Sequence, residues 1–479
     1  MRSATSFLPS FGILAGLGRV GLGALLGLVP SCALDDSLDD SAASDPTNSA
    51  QSALTVGDES VCTKGKYRCH ARVKGIGDRR IRPHALLPTG FGPPELQAAY
   101  KILPDKIVGT KPTVAIVDAY GYAALESDLG VYRAFYKLPP CTVANGCLKI
   151  VNQRGQLAPL PGEPPPDDDW TIETALDADM VSAACPLCNI LVVQADDTGA
   201  GLFLAQDAAE MLGATVISNS WGGPEQPGTP PGDLAQTEAF FQRPGIAIFV
   251  SAGDDGYNDG GNGPDYPGTS AGVIAVGGTH LVKDPTSPRG WSETAWVKGG
   301  SACSLGVAKP GYQTTSPCGF KATTDIAAVG DPQTGMAVYN AANSGWVVVG
   351  GTSAAAPFVA AIFAATGNGA QVSGPFLAAN TAKLHDVTVG SNGTCTSEGD
   401  LLCNAGVGWD GPTGYGTPNY TALGNIVVAP PGTGSGTGSG SDKPAVTPGD
   451  VNGGCSTGRN AGAGGLLGLA LLGLRRRRR

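Results

Sequence analysis

The stretch Thr113-Val-Ala-Ile-Val-Asp118 is a nearly continuous apolar run that ends in a carboxylate. Similar apolar runs follow at 188–193, 215–218 and 246–250. Strands that are apolar along their whole length are typical of a parallel sheet that is covered on both faces. Segments with a helical pattern separate them, at about 94–101, 122–136, 171–184, 200–212 and 233–242. The alternation predicts a doubly wound α/β domain with helices on both faces and a functional site at the carboxyl ends of the strands.

The composition fits one large compact domain with extensions. Of the 479 residues, 72 are Gly and 37 are Pro, and only 15% are charged, which is too few for a disordered or coiled-coil chain. The formal net charge is −10, and because five arginines stand at 475–479, the rest of the chain is more acidic still. An acidic body of this kind argues against nucleic acid or an anionic membrane as its main partner. With only four histidines, a histidine-based metal or catalytic site is not expected.

The N-terminal part of the chain has the composition of an export signal and a tether. A basic start, short apolar runs and small residues predict a signal peptide over 1–32. Cys32 is either the lipidated residue of a lipobox or is followed by ordinary cleavage after Ala33. Residues 33–85 are expected to form a tether and a short pro-like segment, since their first half is rich in Asp, Ser and Ala and lacks Lys and Arg.

The C-terminal part of the chain has the composition of a second targeting signal. A linker of Gly, Ser, Thr and Pro at 430–454 precedes residues 455–479, which begin with Cys455, continue with a short apolar run and end in arginines. This tail resembles the myxobacterial type of surface sorting signal, and a plain membrane anchor oriented by its arginines is the alternative. Both ends together predict an exported protein, on the cell surface or extracellular, that touches a membrane only through its terminal signals.

Ten further cysteines fall into pairs that are close in sequence. In an exported chain the simplest arrangement is five local disulfides, namely Cys62 with Cys69, Cys141 with Cys147, Cys185 with Cys188, Cys303 with Cys318 and Cys395 with Cys403. The CxxC pair at 185–188 has two alternatives, a redox motif or half of a zinc site, although no second CxxC or nearby histidine supports zinc.

The segment Gly350-Gly-Thr-Ser-Ala-Ala-Ala-Pro357 presents one serine at a predicted helix start. Small residues and a proline in the first turn favour helix initiation after the glycines. Ser353 then lies beside the positive end of the helix, which would stabilise a developing oxyanion. The alternative is that Ser353 is an ordinary helix N-cap.

A second segment places two carboxylates on one helix face. Glu173 and Asp177 are four residues apart, so their side chains can approach each other, and two such carboxyls tend to share one proton. Apolar neighbours on both sides predict that this helix is largely buried. Burial favours a functional pair over a solvated acidic surface.

These segments resemble the sedolisins, the serine-carboxyl peptidases of the subtilisin-like clan. The Gly-Thr-Ser-x-x-x-Pro pattern around Ser353 resembles the nucleophile segment of the clan, and no histidine here has the context of a subtilisin base. Sedolisins use a Glu-x-x-x-Asp motif instead, which Glu173 and Asp177 match. The resemblance implies a mostly parallel, seven-stranded subtilisin-like sheet, with Ser353 as nucleophile, Glu173 as general base and Asp177 as the residue that orients Glu173.

Further matches complete the implied site. Asp254, in Ser251-Ala-Gly-Asp-Asp-Gly256, resembles the oxyanion-binding Asp of the family, which can donate a hydrogen bond only while protonated and so implies activity at acidic pH. Asp118 ends the first strand where a carboxylate linked to the dyad is found in some members. The substrate-binding edge is matched by Ser220, Trp221, Gly222 and Gly223. Trp221 either walls the catalytic carboxyls or belongs to the core.

The family also has a structural calcium loop near the C-terminus of the domain. By resemblance, one Ca²⁺ ion would be held by the side chains of Asp386 and Asp410 and the carbonyls of Val387, Gly406 and Gly408. The alternative is a pair of Asx turns.

The resemblance defines a peptidase domain over 86–429. It implies a monomeric serine-type endopeptidase that cuts protein and peptide substrates at acidic pH through a Ser/Glu/Asp triad and an acyl-enzyme. The alternative is a surface binding or adhesion protein on an inactive scaffold, although no catalytic residue is missing. Most sedolisins carry a much longer prodomain, so we expect the segment around Cys62 and Cys69 to take part in latency.

Overall fold

The computed structural model describes residues 58–75, 87–225, 237–395 and 400–425. The predicted signal peptide with Cys32, the linker and the C-terminal tail with Cys455 lie outside the described residues, as does the first part of the tether. Within the described residues, no helix is both long and apolar enough to cross a membrane.

The helices and strands alternate in the middle of the chain, as the apolar runs predict. The helices are α1 (Pro93–Tyr100), α2 (Leu125–Phe135), α3 (Trp170–Ala184), α4 (Ala200–Met211), α5 (Thr352–Ala365), α6 (Gly374–Ala379) and α7 (Tyr420–Leu423). The strands are β1 (Asp58–Ser60), β2 (Arg68–Cys69), β3 (Arg72–Lys74), β4 (Thr113–Ala119), β5 (Leu148–Asn152), β6 (Asn189–Ala195), β7 (Val216–Asn219), β8 (Trp221–Pro224), β9 (Ala247–Ser251), β10 (Asp265–Tyr266), β11 (Ile274–Lys283), β12 (Trp291–Ala295), β13 (Cys303–Ala308), β14 (Phe320–Ala322), β15 (Ile326–Val329), β16 (Met336–Asn340), β17 (Gly345–Gly350), β18 (Leu384–His385) and β19 (Thr417–Pro418).

A mostly parallel sheet forms the centre of the domain. Its strand order is β12-β11-β9-β7-β4-β6-β5, and β15 also pairs with β11. All pairings are parallel except that of β12 with β11. The predicted seven-stranded sheet is therefore present as seven parallel strands, to which one antiparallel strand is added. The doubly wound α/β class predicted from the sequence is confirmed.

Two helices in the core of the domain contain residues of the candidate site. Every residue of α3 and of α5 is buried, and the two helices pack against each other. The close approach follows from composition, since both helices are rich in alanine. α5 also packs on β7, β9, β11 and β15, and α4 packs on β4 and β6.

The cysteine pairs and the N-terminal segment complete the fold. The structure joins the same five cysteine pairs that the sequence brings close together. Residues 58–75, which precede the predicted domain start, are packed onto the domain: β2 pairs with β8, and β3 pairs with β17. The helix expected at 233–242 lies partly outside the described residues.

Candidate active site

The serine segment forms a tight turn into α5. Gly351 is the N-cap residue with φ 100°, a left-handed conformation that favours glycine, and Thr352 begins the helix. A Cβ on Gly351 would stand 1.9 Å from the carbonyl oxygen of His70, so no larger residue fits there. Because Gly351 occupies the N-cap, the alternative in which Ser353 caps the helix is wrong.

Ser353 faces the carboxylate pair across the contact between α5 and α3. Its Oγ donates to Oε2 of Glu173 at 3.0 Å and lies 3.2 Å from the carbonyl oxygen of Ser220. The Ser220 hydroxyl in turn donates to Asp177, at 2.8 Å and 3.0 Å from its two carboxylate oxygens. All four residues are fully buried. The geometry is that of a hydroxyl with a proton acceptor beside it, in a place that excludes water.

The surroundings of Glu173 and Asp177, the two carboxyls of α3, disfavour their ionisation. Burial, then the charges of Asp177 and Asp118, raise the pKa of Glu173 well above its usual value. Burial and the charge of Asp118 likewise raise the pKa of Asp177. With three carboxyls so close in a medium of low dielectric, the group retains protons to a pH well above that of free acids.

Asp118 is the next-to-last residue of β4 and is the third carboxyl of this group. It is fully buried, and burial raises its pKa to about 7. Neither of its oxygens makes a hydrogen bond of good geometry within the described part of the chain, although Thr174 lies close enough to oppose the rise in its pKa. The structure thus places Asp118 where it acts electrostatically on both Glu173 and Asp177.

Asp254 lies on the other side of Ser353, after β9. Its Oδ1 accepts from the backbone N of Thr352 at 2.7 Å and from the hydroxyl of that residue at 2.9 Å. Its Oδ2 is buried and has no partner among the residues described. Burial raises the pKa of Asp254 to about 6, against the opposing charges of His70 and Arg72. Below that pH the free oxygen can carry a proton and act as a donor.

The predicted substrate edge is a strand, and another strand is already paired with it. β8 contains Trp221, Gly222 and Gly223, and β2 pairs with it antiparallel. The indole of Trp221 is fully buried, its Nε1 donates to the carbonyl of Val117, and its ring packs on Tyr67. Of the two roles considered for Trp221, the contacts favour the core.

The loop that resembles a calcium site brings its two aspartates together. The backbone N of Gly406 donates to Asp410, and that of Gly408 donates to Asp386, each at 3.0 Å. Burial, with the charge of Asp386, raises the pKa of Asp410 to about 7. Two adjacent carboxylates on a glycine-rich loop fit the oxygen ligands that Ca²⁺ prefers.

The same loop is also compatible with turns that need no ion. Thr413 donates to Asp410 through its backbone N at 2.8 Å and its hydroxyl at 2.9 Å. Throughout the described residues, no group of three or more His, Cys, Asp or Glu side chains is placed to hold a metal ion. A Ca²⁺ ion here would therefore need carbonyl oxygens as well, for which Val387, Gly406 and Gly408 are the candidates.

Sequence reasoning missed four residues around Ser353. They are Thr352, which holds Asp254, and a group formed by His70, Ser251 and Asp265. Ser251 stands in the motif of Asp254 but has no role assigned there, and Asp265 belongs to no motif. His70 belongs to a run in which Lys, Arg or His occupies every second position from 64 to 74, and this alternation is a sequence signal for an extended basic segment.

A buried serine that contacts a carboxylate pair on a subtilisin-like sheet defines the class of serine-carboxyl peptidases. The model of the Subtilase family matches residues 171–409. Kumamolisin of Bacillus sp. (strain MN-32) is 29% identical over 387 residues, which are 74% of this chain and 67% of kumamolisin. Sedolisin of Pseudomonas sp. (strain 101) is 30% identical over 333 residues, 61% of this chain and 55% of its own. These comparisons support membership of the sedolisin family.

A solved structure agrees on the fold. Pseudomonas sedolisin, complexed with two molecules of pseudo-iodotyrostatin, superposes with a TM-score of 0.59 at 24% sequence identity. The match covers 71% of this chain and 98% of that chain. The match therefore supports a subtilisin-like fold over most of this chain.

Proposed function

We propose that this protein is an exported serine-carboxyl endopeptidase that hydrolyses peptide bonds in proteins at acidic pH. The observation that carries the proposal is the 3.0 Å hydrogen bond from Ser353 Oγ to Glu173, with Asp177 beside it. An unprotonated Glu173 takes the proton of Ser353 as Oγ adds to the substrate carbonyl. Asp177, held by Ser220, shares a proton with Glu173 and fixes its orientation.

The remaining steps use the same groups. Protonated Asp254 and the backbone N of Ser353 donate to the oxyanion of the tetrahedral intermediate. The proton on Glu173 passes to the leaving amine, which leaves an acyl-Ser353 ester. Water then adds to the ester, Glu173 accepts its proton, and Ser353 is restored. Because Asp254 donates only when protonated, turnover falls as the pH rises through the pKa of this residue, about 6.

Endopeptidase action is supported by the shape of the cleft. Residues 58–75 run past Ser353 in both directions, paired with β8 on one side and with β17 on the other. A site that holds chain on both sides of the nucleophile can cut within a polypeptide, whereas some relatives bear the name tripeptidyl-peptidase. We further propose a peptidase unit over 86–429, a monomeric state and one structural Ca²⁺ at Asp386 and Asp410. The five disulfides support export.

The test is hydrolysis of an unfolded protein between about pH 3 and 8. Ser353→Ala and Glu173→Gln should each lower kcat by roughly 10⁴-fold or more, because nucleophile and base act as one unit. Ser127→Ala and Glu163→Gln, at exposed positions, should retain wild-type rates. Equal activity in wild type and Ser353→Ala would contradict the proposal, and no activity in either protein would favour an inactive binding scaffold.

A further inference from the structure

The β16–β17 hairpin and α5 follow each other in the chain, and both of them contact α3. β17 ends at Gly350, and Gly351 turns the chain into α5. The hydroxyl of Ser353 in α5 then faces Glu173 of α3. β16 also packs on α3, and its last two residues form hydrogen bonds with side chains of that helix. The helix that bears the carboxyl pair is therefore held both by α5 and by the hairpin that leads into α5.

Two hydrogen bonds join the end of β16 to α3. The backbone N of Tyr339 donates to Oδ2 of Asp179 at 3.2 Å. Nδ2 of Asn340 donates to the hydroxyl of Thr171, also at 3.2 Å. The hydroxyl of Thr171 donates in turn to Asp169, the N-cap residue of α3, at 2.6 Å. The side chains of Asp179, Asn340 and Thr171 are all buried, so bulk water does not compete for either bond.

The turn between β16 and β17 adds a third contact to the start of α3. Nδ2 of Asn343 donates to Oδ2 of Asp169 at 2.7 Å and to Oδ1 of Asn340 at 3.0 Å. The same oxygen of Asn340 accepts from the backbone N of Asn343 at 2.9 Å. The amide of Asn340 is thus fixed through its oxygen by the turn and through its nitrogen by Thr171. A shift of α3 along its axis would break these contacts together.

The contacts to β16 stand on either side of the carboxyl pair along the helix. Thr171 precedes Glu173 by two residues, and Asp179 follows Asp177 by two residues. Helical geometry separates Thr171 from Asp179 by about 12 Å along the axis. At about 100° per residue, these two residues point about 180° away from the mean direction of Glu173 and Asp177. The hairpin therefore holds α3 from the side that faces away from Ser353.

The packing of α3 on α5 defines their relative position only weakly by itself. Both helices are rich in alanine, whose short side chains leave no deep grooves for interlocking. Helices that pack in this way can slide along each other by small amounts. The proposed reaction needs a finer tolerance, because a displacement of about 1 Å between reacting groups can lower a rate about 10²-fold. The polar contacts to the hairpin supply the restraint that the alanines do not.

We propose that Asp179 and Thr171 are positioning residues, which join α3 to the β16–β17 hairpin and thereby hold Glu173 in line with Ser353. Both act through the position of α3 and take no part in the proton transfers. This inference rests on the proposed peptidase activity and extends its site to the far side of the helix. It also gives a role to Asp179, a buried carboxyl that no step of the proposed mechanism uses.

The surroundings of Asp179 decide which substitution is conservative. Burial raises the pKa of Asp179 well above its usual value, and the hydrogen bond from Tyr339 opposes this rise only in part. A neutral carboxyl still accepts through its carbonyl oxygen, and the side chain of asparagine does the same. Asp179→Asn should therefore preserve the contact with the backbone N of Tyr339. Asp179→Leu removes the acceptor and leaves that N without it.

The test measures kcat and KM for hydrolysis of an unfolded protein by two pairs of full-length variants. Asp179→Leu is compared with Asp179→Asn, and Thr171→Val, which lacks the hydroxyl, is compared with Thr171→Ser, which keeps it. Asp179→Leu and Thr171→Val should each lower kcat roughly 10- to 100-fold, with KM within about twofold of wild type, because the substrate-binding strand β8 is unchanged. Asp179→Asn and Thr171→Ser should retain kcat within about threefold.

Thr417→Val is the matched control. The hydroxyl of Thr417 donates to the buried carboxylate of Glu293 at 2.7 Å, much as that of Thr171 donates to Asp169. Thr417 lies on β19, which packs on β15 and β18 and not on α3. Thr417→Val should lower Tm about as much as Thr171→Val and leave kcat unchanged. All rates are measured well below the lowest Tm, so that a loss of kcat is not a loss of folded protein.

The outcomes separate this inference from the peptidase assignment. Wild-type kcat in Asp179→Leu and in Thr171→Val, with a lower Tm, would overturn the positioning role and leave the assignment intact. An equal loss of kcat in Thr171→Ser and Thr171→Val would also overturn it, since only one of them lacks the hydroxyl. If Asp179→Leu does not fold, the Thr171 pair decides by itself. A wild type without turnover would overturn the proposed function and this inference with it.

Discussion

At the scale of single residues, similar carboxyl groups are adapted to different tasks by their surroundings. Glu173 and Asp177 adjoin each other, so their shared proton keeps one of them available as a base. Asp254 has one oxygen held by Thr352 and the other buried without a partner among the described residues. A neutral acid in that position is a donor, and an ionised one is not. In the proposed mechanism, environment more than residue type decides which carboxyl is the base and which is the donor.

This difference predicts the behaviour of Asp254→Asn. The Asn carbonyl can still accept from Thr352, while its NH₂ donates where the protonated oxygen of Asp254 donates. Because the amide does not ionise, the fall in kcat as the pH rises through about 6 should move to higher pH in this variant. Asp254→Ala should lose roughly 10²- to 10³-fold in kcat below about pH 6, and the loss should shrink at higher pH, where Asp254 of the wild type is itself ionised. The measurement is kcat from pH 3 to 8, and an unchanged profile in Asp254→Asn would contradict the assignment.

At the scale of secondary-structure elements, the sequence predicts those helices and strands that a local pattern of residues determines. The runs at 113–118, 188–193, 215–218 and 246–250 correspond to β4, β6, β7 and β9 within one or two residues, because buried parallel strands have a continuous apolar signature. The buried pair on α3 was likewise visible as an i, i+4 motif in an apolar helix. The pairing of β2 and β3 with the domain could not be predicted from the sequence. Strands of two and three residues have no periodicity, and their partner strands are distant in sequence.

The loop that carries Asp386 and Asp410 leads to a prediction about stability. If it holds Ca²⁺, the ion stabilises the folded state by about 2.7 kcal/mol at one hundred times its Kd, so chelation should lower the Tm of a unit of this size by roughly 4 °C. Scanning calorimetry of Ser353→Ala, with and without a chelator, measures this without self-digestion. Asp410→Asn should melt at the chelated temperature with or without Ca²⁺. A Tm that is the same with and without the chelator would favour the Asx-turn alternative.

At the scale of the whole molecule, buried carboxyls set how stability depends on pH. Burial raises the pKa of Asp118 to about 7 and that of Asp254 to about 6. It also raises the pKa values of Glu173 and Asp177. A carboxyl whose pKa is higher in the folded than in the unfolded chain stabilises the fold at low pH, and this stabilisation is lost as the pH rises through the folded pKa. His385 acts oppositely, because burial lowers its pKa to about 4.

Asp179, Asp259 and Asp410 join these four, so seven described carboxyls have a raised pKa, whereas the pKa is lowered for Asp58, Asp284 and Glu293. The raised carboxyls outweigh the lowered ones and His385, so the fold should be more stable at mildly acidic than at neutral pH. We expect the Tm of Ser353→Ala, in saturating Ca²⁺, to fall by roughly 10 °C between pH 4.5 and 7.5, since each unit of raised pKa is worth about 1.4 kcal/mol. Adding Asp118→Asn should flatten this slope by removing one of the carboxyls with a raised pKa, whereas Asp105→Asn should leave it unchanged. A Tm that rises toward neutral pH would mean that these carboxyls are ionised in the folded protein, and the donor role of Asp254 would then fail with them.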